Sequence, residues 1–526
     1  MRYKVENLKI NVNDLENTNV RECVIKKLKL NENKVKQFTI LRQSLDSRFH
    51  NTDGIYYVFH ATFEYDEKIK NKNVKHYNEE QRKVTIYNTT KLASMKTVIL
   101  GMGPAGLFAA LKLAENGIYP IIIDMGNDIT QRSGDVKDFW NKAELNEMSN
   151  VQFGLGGAGT FSDGKLMSRI KNEQCEFVVD QLIKFGAKRE IKYLAKPHLG
   201  TDKLKNIVNE IKEHLITLGC EFRFGNELTD IKIINSKISS LILNNTDEIN
   251  CDNLILAPGN SATSIFNILH NNHVEISSKP FAVGVRVEHN QEMFNKHIYG
   301  LNYNANVLKN TDYKLTYHDS LMEKGAYSFC CCPGGYVINS SSEINKLAVN
   351  GMSFSTRKNT NINSAIVVTI NEKDYSSNSP LDALTYQKKI EETSFILGGE
   401  NYKAPCMNIA DFIGRKMTTT IEPTIQPGYK YVDINQCFDN QISTTLKNAL
   451  THFSSKIDGF SNGVMTACET RTSSPVRITR DKATHQSVNI EGLFPCGEGA
   501  GYAGGIMSSA VDGVCTAMNI LQIHSL

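Results

Sequence analysis

The chain has 526 residues, enough for about three domains. Its 40% hydrophobic and 22% charged content is ordinary for a globular protein and excludes a disordered or fibrous chain. A formal net charge of +3 excludes a global field that would gather a polyanion.

Residues 1–95 read as a small basic α+β domain. Tyr3–Val12 alternates loosely, Asp14–Leu28 carries helical spacing through Leu15, Val20, Val24 and Leu28, and Phe38–Leu45 and Ile55–Phe63 read as strands. Residues 66–92 are polar and read as a linker or exposed hairpin. Residues 1–96 hold 19 Lys+Arg against 12 Asp+Glu, while the remainder holds 40 against 44. A solvated surface is the plain reading of that surplus, and an RNA, acidic or membrane-surface partner is the alternative. Met1–Glu6 lacks the apolar core of a signal peptide, and no stretch approaches the roughly 18 apolar residues of a membrane span. The expectation is a cytoplasmic chain without a membrane span.

At Thr97 the texture changes. Residues 97–124, TVILGMGPAGLFAALKLAENGIYPIIID, give a strand, a glycine turn, a helix and a second strand ending on an acid. The G-x-G-x-x-G fingerprint falls at Gly101, Gly103 and Gly106, for the tight turn, the approach of a pyrophosphate and close helix packing. Pro104 and Ala105 lie in the first helical turn, where free N–H groups face an anion. Asp124 is placed to accept from ribose hydroxyls, with Met125 beside it. Gly154, Gly156 and Gly159 repeat the spacing, but no suitable strand precedes them, so they do not mark a second nucleotide site.

Residues 203–218 read as a helix and 220–258 as several strands. From Lys279 short β-like runs recur, at Phe281–Glu288, Tyr313–Tyr317, Ala326–Cys331, Tyr336–Ser340 and Leu347–Met352. They predict an inserted antiparallel α+β domain over 280–465. The dinucleotide pattern then returns. The expected fold class is α/β: a Rossmann-type domain over 96–279 and 466–526, with the insert and the N-terminal α+β domain.

Three further segments carry a family resemblance. Asn253–Gly259, NLILAPG, is similar to the A-T-G element of two-dinucleotide-fold flavoproteins, with Pro258 in place of Thr and with Ala257 and Gly259 beside the pyrophosphate. Gly492–Gly513, GLFPCGEGAGYAGGIMSSAVDG, resembles their C-terminal FAD motif. Phe153–Lys165, FGLGGAGTFSDGK, resembles their glycine-rich flavin loop. From about residue 97 onward the chain resembles the uncharacterised FAD-dependent dehydrogenases, also described as NAD(FAD)-utilising, of the glutathione-reductase-like superfamily. The resemblance implies non-covalent FAD. It places Gly497 and Glu498 at the ribityl chain or pyrophosphate, and Gly504, Gly505 and Ile506 at the flavin edge. It also implies contacts from Gly156, Gly157, Lys165, Leu228 at adenine, and Arg132 at ribose or phosphate. Asp124 departs from the glutamate usual in FAD folds.

No triad, paired-carboxylate motif or metal cluster is visible. Twelve cysteines show no C-x-x-C pair and no zinc-site spacing with histidine, which fits reduced thiols and no bound metal. The catalytic candidates are Cys330 and Cys332, whose thiols would share one strand face, Arg471 and Arg477 as anion clamps, and His198 as a proton donor near Lys196. No second dinucleotide fold is visible, so NAD(P)H would dock transiently, or a protein carrier would bring electrons. The leading expectation is an FAD-dependent oxidoreductase that passes hydride between flavin N5 and an anionic small molecule. The alternatives are a flavin-dependent RNA-modifying enzyme and a flavin-bound sensor without turnover.

Overall fold

The computed structural model describes residues 1–48, 54–78, 85–167, 172–375, 378–416 and 421–525. Part of the expected 66–92 linker, residues 79–84, lies outside the described residues. The chain divides into two units, and the division departs from contiguous domains.

The first unit joins residues 1–86 to 187–198 and 291–311. Its antiparallel sheet has the order Lys36–Asp46, Tyr56–Glu64, Arg2–Asn11, Val74–His76. Val5, Phe59, Ala61 and Phe63 alternate onto one face and bury there with Val24 of the helix Val20–Leu28. That helix is shorter than the 14–28 spacing predicts. The Asn19 side chain accepts from Glu22 N and starts it, and Lys29 ends it at φ +54. Residues 187–198 join through Gln43 N to Tyr193 O and Ala195 N to Gln43 O, both 2.8 Å. His198 and Lys196 therefore belong to the N-terminal unit, a correction to their assignment within 96–279. Residues 291–311 likewise leave the predicted insert, with Tyr299 and Leu308 packing on Val12 and Ile55. Six of the unit's basic residues pair with four acids: Lys4 and Lys75 with Glu6, Lys9 and Arg48 with Asp46, Arg21 with Glu32, and Lys34 with Glu67.

The second unit holds the rest of the chain. A five-stranded sheet has the order Leu493–Pro495, Asn253–Leu256, Thr97–Leu100, Ile121–Ile123, Glu221–Arg223, and every pairing is parallel. The three strands Leu493–Pro495, Asn253–Leu256 and Thr97–Leu100 are fully buried, because the sheet is covered there on both faces, while the edge strand Glu221–Arg223 is polar and partly exposed. Helices Pro104–Ala114 and Ile506–Ser525 pack against each other. Gly513 permits their approach, since a Cβ there would lie 2.1 Å from Ala105 O. By length and composition Ile506–Ser525 is apolar enough to cross a membrane, with mean hydropathy 1.2, but 56% of it is buried inside the fold. The expectation that no stretch approaches a span holds for burial and not for composition.

The second sheet has seven strands, in the order Thr316–Asp319, Lys324–Cys332, Asn361–Ile370, Phe281–Asn290, Val464–Glu469, Ala404–Asn408, Tyr429–Tyr431. It is antiparallel except for the last pair. Val464–Glu469 pairs on both sides, so the boundary predicted at 465 cuts through this sheet. Nine of the ten residues in Phe281–Asn290 are buried, because both faces are packed.

Candidate cofactor cleft and adjoining thiol cluster

A parallel sheet brings the carboxyl ends of all its strands to one edge. Gly101 follows Thr97–Leu100, Asp124 follows Ile121–Ile123, Ala257 follows Asn253–Leu256, and Gly497-Glu498 follows Leu493–Pro495. Thr97–Leu100 lies between a strand reached directly by its crossover helix and one that joins from the other side. The crevice outside its end is therefore a topological switch point, where open α/β sheets bind ligands.

The glycines along this edge fall into two kinds. At Gly101 and Gly106 an added Cβ would lie 2.1 Å from Ala257 O and 1.9 Å from Gly101 O, so backbone packing excludes any side chain. At Gly103 the nearest atom would be Gly157 Cα at 3.8 Å, and at Gly504 nothing lies within 4 Å. Neither has a positive φ, so the protein itself does not require glycine there. The space these two leave open suits a ligand that approaches the backbone, and by this test the residues fit a dinucleotide cofactor. Beside it lies an open cleft lined by Gly101, Asp124, Met125, Phe153, Leu228 and Pro258.

Asp124 is largely consumed by the protein. Its Oδ2 accepts from Met102 N at 2.8 Å, and its Oδ1 accepts from Gly126 N and Gly154 N, each at 2.9 Å. A carboxylate has about four acceptor positions, which leaves about one for a ribose hydroxyl. The short side chain thus joins three glycine-rich turns. Arg132 needs a firmer correction. All five of its N–H donors go to the backbone carbonyls of Asn150, Val151, Gly154, Leu155 and Gly157, and it is wholly buried. It clamps the 150–157 loop and has no donor for a phosphate. That clamp sets Gly157 against Gly103, and Gly156 N donates to Met102 O at 2.8 Å.

At the other end, Asp512 of the last helix accepts from Gly497 N at 2.8 Å and pairs with Arg480, fixing the Gly497-Glu498 turn. Asn260 Nδ2 donates to Glu498 Oε1 at 2.8 Å. Burial pushes the Glu498 carboxyl up to about 7, against the pull of nearby Lys279. Lys279 is itself lowered by burial and by Arg477. Arg477 is exposed and lies over the Tyr502 ring at 5.3 Å. Arg471 is not an open clamp, a second correction. It forks onto Glu391 at 2.9 and 2.8 Å and also donates to Ser342 Oγ.

Lys165 lies at the cysteine run and not at the pyrophosphate turn: its Nζ donates to Cys331 O. Burial opposes its charge, but Cys330, Cys332 and Asp163 hold it above the usual lysine range. Arg286, fully buried, donates to both oxygens of Glu469 at 3.0 and 3.1 Å and to Cys330 O at 2.6 Å. Lys279, Arg286, Glu469, Asp163 and Asp512 were missed from the sequence. Arg286 and Glu469 had a signal, a charge inside a continuously apolar strand, which burial permits only when it is paired.

Residues 280–472 match the family described as FAD-dependent protein, C-terminal domain-like. A Clostridium beijerinckii protein described as uncharacterised is 39% identical over the whole of both chains. The chain belongs to that protein's family. The match over 280–472 supports FAD as the cofactor. Among solved structures, the flavin-dependent brominase Bmp2 aligns with 82% of this chain and 79% of its own, at 11% identity and TM-score 0.37. CtdE in complex with FAD aligns over 81% and 84%, at 10% identity and TM-score 0.32. The glycine oxidase of Bacillus cereus aligns over 82% and 95%, at 11% identity and TM-score 0.31. Likeness at these scores assigns no activity.

Proposed function

We propose that this protein is an FAD-dependent oxidoreductase that passes hydride between its flavin and a small anionic molecule, and that the five-stranded parallel sheet is its Rossmann-type cofactor domain. The observation that carries the reading is the meeting of four strand ends at one edge, where Gly103 and Gly504 leave space that the protein does not fill. Leu228 and Met125 would bound the adenosine, Gly103 and Gly157 the pyrophosphate, and Glu498 with Gly504-Gly505 the ribityl and ring end. Bound there, FAD supplies two-electron hydride chemistry.

The chain's own groups prepare the adjoining space. Lys279 and Arg477 put two cations beside Glu498, which favours a carboxylate or phosphate on the substrate. Glu498, held near 7, can keep or release a proton at its carboxyl at neutral pH. The buried Arg286–Glu469 pair holds the strand end at Cys330 in place. Among the described residues the second sheet is antiparallel apart from its last pair and is no second dinucleotide fold. That favours a nicotinamide donor that docks transiently, or a protein carrier.

Anaerobic addition of NADH or NADPH to the FAD-loaded protein, followed by a panel of anionic acceptors, tests the reading. Bleaching of flavin absorbance followed by reoxidation by one acceptor is expected, with Lys279→Met and Arg477→Met raising KM for that acceptor. Flavin that dithionite reduces but no acceptor in the panel reoxidises would contradict turnover and favour a sensor.

A further inference from the structure

The strand Lys324–Cys332 does not finish regularly. Pairing with Asn361–Ile370 stops after Phe329 and resumes at Cys332 opposite Asn363, and Cys330 adopts φ +46. In an even strand residues i and i+2 lie about 6.6 Å apart, close to the outer Cα separation of a disulfide. A bulge bends the chain and shortens that separation. Here the Cys332 side chain folds back over the bulge, and its Sγ donates to Cys330 O at 3.4 Å. Cys331 is turned away beside Tyr313, where burial pushes its thiol up to about 12.

The pair sits between cations. Arg286 Nη2 lies 3.7 Å from Cys332 Sγ, and Lys165 is anchored at the intervening carbonyl. The Cys332 side chain, then Lys165 and Arg286, hold the Cys330 thiol below its ordinary range. The Cys332 thiol is raised, by Cys330 beside it and by burial, and eight other cysteines outside the run have thiols raised by burial, as inert structural thiols do. The pair also adjoins the elements of the cofactor edge: Lys165 ends the loop whose Gly157 lies against Gly103 and donates to Cys331 O, and Asn260 Nδ2 donates both to Glu498 Oε1 and to Arg471 O, two residues past the Glu469 that pairs with Arg286.

We infer that Cys330 and Cys332 are a redox-active pair in two-electron exchange with the bound FAD. On oxidation the two thiols lose two electrons and two protons and close one Sγ–Sγ bond, while FAD takes up both electrons and both protons to become FADH2. In reverse, FADH2 gives up the same electrons and protons, and the bond opens to two thiols. Lys165 and Arg286 are positioning residues that stabilise the Cys330 thiolate. The inference rests on the FAD reading above.

The test starts with flavin content per chain, then titrates the oxidised protein anaerobically with dithionite. The expected uptake is four electrons per FAD, falling to two in Cys330→Ser and in Cys332→Ser and staying at four in Cys331→Ser. Alkylation after denaturation should find two fewer thiols in the oxidised chain than the twelve cysteines present. In Cys331→Ser the missing pair must map to 330 and 332. A flavin-loaded chain that takes up only two electrons, with every thiol open to alkylation, would overturn the pair and leave the FAD reading standing. A chain without flavin would instead remove the FAD reading. Diamide oxidation and peptide mapping still decide the pair on that chain: a 330–332 crosslink supports it, and its absence overturns it.

Discussion

At the scale of single residues, what a side chain can offer a ligand depends on what the protein has already taken from it. Gly103 and Arg132 are opposite cases. A methyl group at Gly103 would rest 3.8 Å from Gly157 Cα, an ordinary contact, so Gly103→Ala should melt like the parent when free of cofactor. Its FAD affinity should fall at least about tenfold, or roughly 1.4 kcal/mol, in a fluorescence titration of the apoprotein. Arg132→Met removes five hydrogen bonds from the 150–157 loop, and the carbonyls of Asn150, Val151 and Leu155 lose the donor that Arg132 gives them. It should cost about 3 kcal/mol or more in a denaturant melt of the apoprotein.

Glu498 gives a prediction with pH. Its carboxyl stands at about 7 in the folded chain, against 4.5 for an ordinary glutamate. Between those values the folded state holds a proton that the unfolded state has released, so stability falls as pH rises through that window. Glu498→Gln removes the effect and keeps an acceptor for Asn260. The variant should be the more stable at pH 8 by of order 1 kcal/mol, allowing for partial exposure, and should match the parent below about pH 4.5. Thermal melts of the apoproteins at pH 4 and pH 8 measure this. A gap that widens toward acid would refute the assignment.

At the scale of elements, the last helix fixes the far end of the cleft through one glycine and one acid. Gly513→Val would drive a side chain into Ala105 O and force the helix off Pro104–Ala114. The expected cost is about 1–3 kcal/mol, together with weaker FAD retention, because Asp512 would no longer hold Gly497 N. Gel filtration and flavin content of the purified variant check both. This is also where the sequence was most legible. The strand–turn–helix–strand order of 97–124 and the glycines of 492–505 have periods and punctuation that identify them locally. The Cys330 bulge has no local signature, because pairing with Asn361–Ile370 creates it, and the charges of Arg286 and Glu469 stand out in their apolar runs without showing that each takes the other, 183 residues away, as its partner. Arg132 misled for the same reason: its spacing from Asp124 fits a phosphate contact, and only the folded loop shows five carbonyls already around it.

At the scale of the whole molecule, the segments 187–198 and 291–311 returned to the N-terminal unit, which no boundary reading of composition could show. The apolar residues of 291–311 complete a small core with Val12 and Ile55, and that demand is visible only after the sheet has formed. His198 falls in the N-terminal unit by the same accounting.

The central claim is that the carboxyl edge of the parallel sheet is an FAD site, and FAD binding by the purified chain tests it most directly. The protein should carry or take up one FAD per chain, release it intact on denaturation, and melt at a temperature that rises with added FAD, as a ligand bound only by the folded state requires. A folded chain that takes up no FAD on reconstitution, with a melting temperature unmoved by excess cofactor, would contradict the account.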